Sequence, residues 1–110
     1  MTDCIFCKIV EGTLAADIIY EDDFCIAFKD LYPKAPVHVL VIPKKHIENL
    51  AALRAEDQPL MGHMLLKLTG IAESQGLEDG FRTITNTGPG GGQEVYHLHF
   101  HILGGNIKPA

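Results

Sequence analysis

The sequence lacks long apolar runs, an excess of basic residues and an even set of cysteines, each of which would mark a particular class of protein. No stretch of its 110 residues approaches the roughly 20 apolar residues that a membrane-spanning helix needs. Acidic residues and a lysine interrupt the N-terminal segment MTDCIFCKIVEG, so it is not predicted to be a secretory signal peptide. We therefore expect neither membrane insertion nor export.

Basic residues are too few to form a surface that binds nucleic acid. Lys and Arg number 9 against 14 Asp and Glu, which gives a formal net charge of −5. Affinity for nucleic acid depends on clustered cations, so a phosphate-bearing ligand is expected to be small and held in a local pocket. Three cysteines, an odd number without an export signal, favour reduced thiols in the cytoplasm over a disulfide framework.

The hydrophobic pattern predicts one α+β domain over residues 1–110. The predicted elements are a short helix over 4–11, strands over 18–20, 24–29 and 37–42, a long helix over about 58–75, and strands over 81–86 and 95–103. Gly12 and Gly76 are placed to end the two helices. The expected architecture is an antiparallel five-stranded sheet with the long helix packed on one face.

Three histidines alternate with apolar residues in HLHFH, at positions 97–101 of the last predicted strand. Because successive side chains of a strand point to opposite faces, His97, His99 and His101 should share one face, and the intervening apolar side chains can cover the long helix. An exposed polar face is the ordinary alternative. Such faces are usually mixed, however, and imidazole titrates near neutrality, so we interpret this face as functional.

Catalysis suits this strand better than a tris-histidine metal centre. The outer two histidines would lie about 13 Å apart along a straight strand, so all three could reach one ion only with strain. A neutral imidazole attacks phosphorus without prior deprotonation, and a protonated neighbour can serve as the acid. The upstream loop TGPGGGQ could present backbone N–H groups to phosphate oxygens, although such a cluster alone is more typical of a turn.

The segment HLHFHIL at 97–103 resembles the signature of the histidine triad (HIT) family. The similarity extends from residue 4 to 105 through IFCKIVEG, AFKD, APVHVLVIPKKH, NTGPGGGQEVYH and the terminal GG, and it indicates the nucleotide-binding branch. This resemblance implies hydrolysis of purine nucleoside phosphoramidates, such as AMP or GMP conjugates, through a nucleotidyl-histidine intermediate. It also implies a homodimer whose sheets join.

The resemblance assigns the catalytic roles by position. His99 is expected to be the nucleophile, and His101 to contact the phosphate and help protonate the leaving group. His97 is expected to support the site, and His38 to assist through the hydrogen-bond network. A histidine hydrogen-bonded within a strand is the alternative for His38.

The resemblance also assigns the substrate-contacting positions. Asn86, Gly92 and the backbone near Val95 match phosphate-binding positions, and Asp30 matches the acceptor of the ribose hydroxyls. The wall of the purine pocket matches four apolar residues: Phe6, Ile9, Phe28 and Leu31. Taken without the resemblance, those four residues are typical of a core, and Asp30 and Asn86 of turns.

Two features depart from the family pattern. Glu94 stands where many members have a serine that contacts the leaving group, so the leaving-group preference stays open. A carboxylate beside a phosphate should be hydrogen-bonded or turned outward. The chain also ends at Ala110, without the longer tail through which some relatives shape the partner subunit's pocket.

The pair Cys4-x-x-Cys7 has the spacing of half a zinc site, and two small apolar residues on one helix face are an equal alternative. The resemblance to bacterial-type members implies a closed, structural zinc held by Cys4, Cys7, His46 and His97, with no metal needed for catalysis. Of the other residues of this type, Cys25 is expected to be buried in a strand and His63 to lie at the surface or at a dimer contact.

Two other functions stay open. A dinucleoside polyphosphate hydrolase would use the same catalytic groups on a different substrate. A non-catalytic adaptor would bind a nucleotide or zinc without turnover.

Overall fold

The computed structural model describes residues 3–109, so Met1, Thr2 and Ala110 of the predicted domain lie outside the described residues. The helices and strands are α1 (Ile5–Glu11), β1 (Ile18–Glu21), β2 (Cys25–Lys29), β3 (Val37–Pro43), α2 (Gln58–Ser74), β4 (Arg82–Ile84) and β5 (Phe100–Gly104). The strands form one sheet in the order β1-β2-β3-β5-β4, and all neighbours are antiparallel. The predicted α+β class is confirmed.

Both helices end where the sequence predicts a left-handed glycine. At the start of α1 the Cys4 thiol accepts a hydrogen bond from the backbone N–H of Cys7, and at its end Gly12 has φ +83°. Gly76, just beyond α2, has φ +86°. Glycine adopts this conformation without the steric cost that a Cβ brings, so it stops a helix locally.

No helix within residues 3–109 is long and apolar enough to cross a bilayer.

The sheet is covered on both faces. The long helix α2 packs four buried residues, spaced mostly three or four positions apart, against one face: Met64, Leu68, Ile71 and Ala72. The short helix α1 packs Phe6 and Ile9 against the opposite face, where they meet Ile26, Phe28, Leu40 and Ile42. The run VHVLVI is continuously apolar around its histidine because β3 is buried from both sides.

The alternation predicted for positions 97–102 holds in space. Leu98, Phe100 and Ile102 belong to the α2-side cluster. On the other face, the ring of Phe6 in α1 lies edge-on to the rings of His97 and His99, with centroids 5.9 and 5.2 Å apart. Helix α1 therefore covers the face on which these histidines lie.

The predicted strand over 95–103 is wrong in its first half, because β5 begins at Phe100. The last ladder pair joins Val41 to Phe100, and the partner strand β3 ends at Pro43, which has no N–H to continue the ladder. Residues before Phe100 bond elsewhere: the backbone N–H of Leu98 donates to the carbonyl of Ile47 at 2.6 Å. Of the three alternating histidines, only His101 lies in a strand.

The predicted strand over 81–86 is also too long, because β4 spans only Arg82–Ile84. Thr85 Oγ1 donates to the carbonyl of His99 at 2.8 Å, and Asn86 Nδ2 donates to the carbonyl of Gly91 at 2.8 Å. These side-chain bonds to the backbone replace the ladder and turn the chain into the glycine-rich loop.

Candidate active site

A cavity of about 670 Å³ opens on the α1 face of the sheet. This volume is within the range of small-molecule sites. His38, His99 and His101 line it, together with all nine residues predicted to contact the substrate: Phe6, Ile9, Phe28, Asp30, Leu31, Asn86, Gly92, Glu94 and Val95. His97 is not among the lining residues; its ring is fully buried behind the cavity.

The hydrogen bonds of His38 and His101 determine the tautomer of each ring. The backbone N–H of Lys34 donates to His38 Nδ1 at 3.0 Å, so the proton of a neutral His38 ring sits on Nε2. His38 Nε2 lies 2.8 Å from His101 Nδ1 and donates to it. The neutral His101 ring then carries its own proton on Nε2, which leaves an N–H donor for a ligand in the cavity.

His99 is held in the opposite tautomer. Its Nδ1 lies 2.7 Å from the backbone carbonyl of His97, and a carbonyl can only accept, so Nδ1 carries the proton. The Nε2 of the neutral ring therefore keeps its lone pair. The rings of His99 and His101 are adjacent, with centroids 5.1 Å apart. The cavity thus presents a nucleophilic nitrogen beside an N–H donor.

Burial keeps these imidazoles neutral. Removal from water lowers the pKa of His38 and of His99, and it lowers the pKa of His101 to about 4. For His101 the neighbouring His99 and His38 rings lower the pKa further, whereas Asp30 acts in the opposite direction. Neutral rings are what a lone-pair nucleophile requires.

The end of the glycine-rich loop also lines the cavity, through Gly92 and the following Glu94 and Val95. Pro89–Gly91 make one 3-10 turn, and Gly92 follows with φ +78°, where a side chain would be strained. Within residues 3–109, the backbone N–H groups of Glu94 and Val95 donate to no protein acceptor. Two such groups on a cavity wall are suited to bind an anion.

At the other end of the cavity, Phe6 and Phe28 serve both as core and as wall: they pack edge-to-face 5.5 Å apart and also line the cavity. Leu31 is not core, since it is 82% exposed at the rim. Asp30 Oδ1 accepts from the backbone N–H of Tyr32 at 2.8 Å, as a turn former does, and its Oδ2 lies 3.5 Å from His38 Nε2.

Glu94 is exposed on the rim, where a carboxylate stays solvated. Of the two expectations for Glu94, hydrogen-bonded or turned outward, the structure shows the exposed arrangement. The carboxylate is therefore placed at the mouth of the cavity.

A separate cluster of four side chains lies behind the cavity: Cys4, Cys7, His46 and His97. His97 Nε2 donates to the carbonyl of Pro43 at 2.8 Å, which leaves Nδ1 unprotonated and facing the cluster. This nitrogen lies 3.2 Å from His46 Nδ1, 3.3 Å from Cys4 Sγ and 3.5 Å from Cys7 Sγ. Tetrahedral zinc, with bonds of about 2.0–2.1 Å to nitrogen and 2.3 Å to sulfur, has edges of about 3.3 and 3.5 Å between such atoms. The donor set therefore fits zinc.

Cys25 and His63, the other cysteine and histidine considered above, lie outside this cluster and make local contacts. Cys25 is buried as expected, although it is the first residue of β2 and not in its middle. His63 Nε2 lies 2.6 Å from Asp22 Oδ2, so His63 connects α2 to the β1–β2 turn. Asp22 Oδ1 also accepts the backbone N–H groups of Phe24 and Cys25 and so stabilises that turn.

Comparison with known proteins identifies the family. The family model described as "Scavenger mRNA decapping enzyme C-term binding" matches residues 3–109. A HIT-like protein of Synechococcus elongatus is 58% identical over 103 residues, which cover 94% of this chain and 90% of the relative. The chain belongs to the histidine triad family.

Solved HIT proteins share the whole fold. The structure of a HIT family hydrolase from Legionella pneumophila has a TM-score of 0.92 and 43% identity, and the match covers 96% of this chain and 95% of that one. A histidine triad protein from Clostridium difficile gives a TM-score of 0.94 and 45% identity, covering 100% and 96%.

Several residues that line the cavity of this HIT site escaped the sequence-based prediction. Leu40 and Leu103 are among them. Each stands two positions after a site histidine, and in the sheet Leu40 pairs with His101 and His38 pairs with Leu103. The strand period of two, applied from each histidine, would have identified both.

The titration of His101 predicts a pH-dependent stability. Its pKa is about 4 in the fold against 6.5 ordinarily, so between these values the unfolded chain binds the additional proton more readily. Stability should therefore fall as the pH decreases from 6.5 to about 4, by up to about 1.4 kcal/mol per pH unit for this one group.

Urea unfolding of the wild type and of His101→Asn at a series of pH values measures this contribution. The groups that face His101 are His38, His99, Asp30 and Lys34, and all four remain in the variant. The difference in unfolding free energy between the two proteins should be constant above pH 7 and shrink below 6.5. If the unfolding free energies of the two proteins differ by the same amount down to pH 4, the lowered pKa of His101 is contradicted.

Proposed function

We propose that this HIT protein hydrolyses purine nucleoside phosphoramidates, with His99 Nε2 as the nucleophile. One observation carries the proposal: the bond from His99 Nδ1–H to the His97 carbonyl leaves the Nε2 lone pair of His99 available in a cavity that also offers anion-binding groups. His101 cannot take this role in the same state, because its Nδ1 accepts from His38 and its Nε2 carries the proton.

The first step transfers the nucleotidyl group to the enzyme. When the anionic phosphate binds, it favours a second proton on the adjacent His101. His99 Nε2 then attacks phosphorus while the P–N bond breaks, and its electron pair takes the proton from His101, so the amine leaves neutral. His99 retains its proton on Nδ1, and the positive charge that develops on its ring is stabilised by the His97 carbonyl.

The second step reverses the proton transfer. Neutral His101 accepts a proton from water, whose oxygen attacks phosphorus, and the bond between phosphorus and His99 Nε2 breaks. The nucleoside monophosphate leaves, and His101 again carries its second proton. His38 Nε2, 2.8 Å from His101 Nδ1 and 3.5 Å from Asp30 Oδ2, keeps the ring of His101 oriented in both steps.

The nucleotide would lie along the cavity. The phosphate would accept from the backbone N–H groups of Glu94 and Val95, with Asn86 and Gly92 beside it, and the ribose hydroxyls would donate to Asp30 Oδ2. The purine would rest among the apolar residues at the α1 end: Phe6, Ile9, Phe28 and Leu31. Glu94 would face the leaving group, where a carboxylate favours amines without negative charge over acidic ones.

Replacing His99 with glycine should abolish turnover and leave AMP binding intact, because the nucleophile is lost while the other groups that bind the nucleotide remain. A loss of at least about 10³-fold is expected, since nucleophile and acid act as one unit. The matched control is His63→Gly, on α2 and outside the cavity lining, which should keep full turnover.

The measurement is turnover of an adenosine phosphoramidate, with the quenched wild-type enzyme analysed by mass spectrometry for adenylate on His99. An adenylate found on another residue, or none at all during turnover, would contradict the mechanism. Faster cleavage of diadenosine polyphosphate than of the phosphoramidate would instead favour a dinucleoside polyphosphate hydrolase. AMP binding without turnover of either substrate would favour an adaptor.

We further propose that Cys4, Cys7, His46 and His97 hold a structural zinc, in keeping with the reducing cytoplasm predicted from the cysteines. The distances among the donor atoms support this, as does the tautomer of His97. Zinc bound there would stabilise the fold by linking α1 to His97, and hence to the carbonyl that orients His99. All four ligands would come from the protein, so the site would be closed and would not catalyse the reaction.

The zinc proposal predicts one tightly bound zinc per chain and a large loss of stability on its removal. Chelation should cost about 4 kcal/mol if zinc is present at a thousand times its dissociation constant. Cys7→Ser should lose the metal and become insensitive to chelator, whereas Cys25→Ser, outside the cluster, should keep it.

Metal content and thermal unfolding with and without chelator measure both effects, and Co²⁺ substitution reports the tetrahedral geometry by its visible spectrum. A wild-type protein that is purified with zinc under reducing conditions and still contains none would disprove the site.

We also propose that the chain forms a homodimer through a sheet edge. The edge strand β4 leaves one side of its backbone unpaired by any strand of residues 3–109, and its Ile84 is exposed. An open sheet edge and an exposed apolar side chain on it are typical of an interface. Light scattering should give twice the chain mass in the micromolar range, and Ile84→Glu should weaken the association. A monomer at all concentrations would contradict the proposal.

A further inference from the structure

We propose that Gln93 is a positioning residue that holds the glycine-rich loop in its anion-binding shape. The residue is 8% exposed, and its side-chain amide makes four hydrogen bonds. Oε1 accepts from Asn49 Nδ2 at 3.0 Å and from the backbone N–H of Gly88 at 2.8 Å. Nε2 donates to the carbonyls of Glu48 at 2.7 Å and Val95 at 3.0 Å. A glutamine amide has two donors and two acceptor sites, so all of them are used.

These bonds join the two ends of the loop to each other. The side chain reaches Gly88 at the start and Val95 at the end, and the backbone N–H of Gln93 also donates to the carbonyl of Gly88 at 3.1 Å. Between them lie Gly90, Gly91 and Gly92, which lose more conformational freedom on ordering than any other residue type. The other bonds that hold this segment are the backbone bonds of its 3-10 turn and the bond from Asn86 Nδ2 to the Gly91 carbonyl, and neither reaches Val95.

The bonds also join the loop to a second segment, residues 48–49. Glu48 and Asn49 follow His46 of the proposed zinc site, and the intervening Ile47 accepts the backbone N–H of Leu98 at 2.6 Å. Asn49 itself is buried, with 9% exposure. Gln93 therefore connects the loop to a segment that is held by the bond between Ile47 and Leu98 and, in the proposed zinc site, by His46.

The consequence concerns the backbone N–H groups of Glu94 and Val95, which donate to no protein acceptor within residues 3–109. They are bracketed by anchored groups: the backbone N–H of Gln93 on one side and the carbonyl of Val95 on the other. A donor that is aimed before the ligand arrives binds an anion without reorganisation. The inference rests on the proposed function, because it assigns these two groups to the phosphate.

The test compares the affinities for AMP and for adenosine, since only AMP carries the phosphate. In the wild type AMP should bind more tightly than adenosine. Gln93→Ala should reduce this preference about tenfold or more and leave adenosine binding unchanged, because a misdirected donor pair loses its charge-assisted bonds. The kcat for the phosphoramidate should fall by about tenfold to a hundredfold. Gln58→Ala, an exposed glutamine at the start of α2, is the matched control and should change neither ratio nor kcat.

Two further variants keep the test decisive if Gln93→Ala does not fold. Gln93→Glu conserves the shape and both acceptors but places a carboxylate oxygen against two carbonyls, so it should also lose AMP preference. Asn49→Ala removes one of the four bonds and should give a smaller loss of the same kind.

The outcomes separate the inference from the proposed function. An unchanged AMP-to-adenosine ratio in folded Gln93 variants, even with lower thermal stability, would show that the amide is only structural and would overturn the inference. An equal loss of both affinities would also overturn it. A wild type that does not prefer AMP to adenosine would instead contradict the proposed function itself.

Discussion

His97 is completely buried, and its three polar contacts reach three different parts of the site. Its Nε2 donates to the carbonyl of Pro43, where β3 ends, and its Nδ1 faces the two cysteines and His46. Its backbone carbonyl accepts from His99 Nδ1. Buried polar groups must be paired, so none of these contacts can be given up without cost. The position of one imidazole therefore connects the end of the sheet, the candidate zinc cluster and the proposed nucleophile.

The site offers an imidazole lone pair on His99 and an N–H donor on His101 because the two rings have different partners, although the two residues are the same. His99 and His101 have the same side chain and adjoining positions in the cavity. One has its Nδ1 against a carbonyl, which requires a proton there, and the other has its Nδ1 against His38 Nε2–H, which requires a lone pair. Two identical rings are thereby prepared for the two roles that the proposed cleavage of a P–N bond needs.

Much of this arrangement was predictable because it depends on local periodicity. The alternation of HLHFHI places the imidazoles on one face whether or not a ladder is present, and it persists before β5 begins at Phe100. What could not be predicted were the ends of β4 and β5, which depend on distant partners: Leu98 bonds to Ile47, and Thr85 to His99. The Gln93 amide likewise has no periodic signal, since its four partners lie in two separate segments.

The sequence alone was enough for the fold class, the caps at Gly12 and Gly76, and the face on which each histidine lies, because these follow from backbone geometry over a few residues. The tautomers, and with them the chemical role of each ring, were decided only by the tertiary structure. A tautomer depends on whether a donor or an acceptor stands opposite each ring nitrogen. For His101 that group comes from His38, 63 positions away in the chain, and it is brought there by the pairing of β3 with β5.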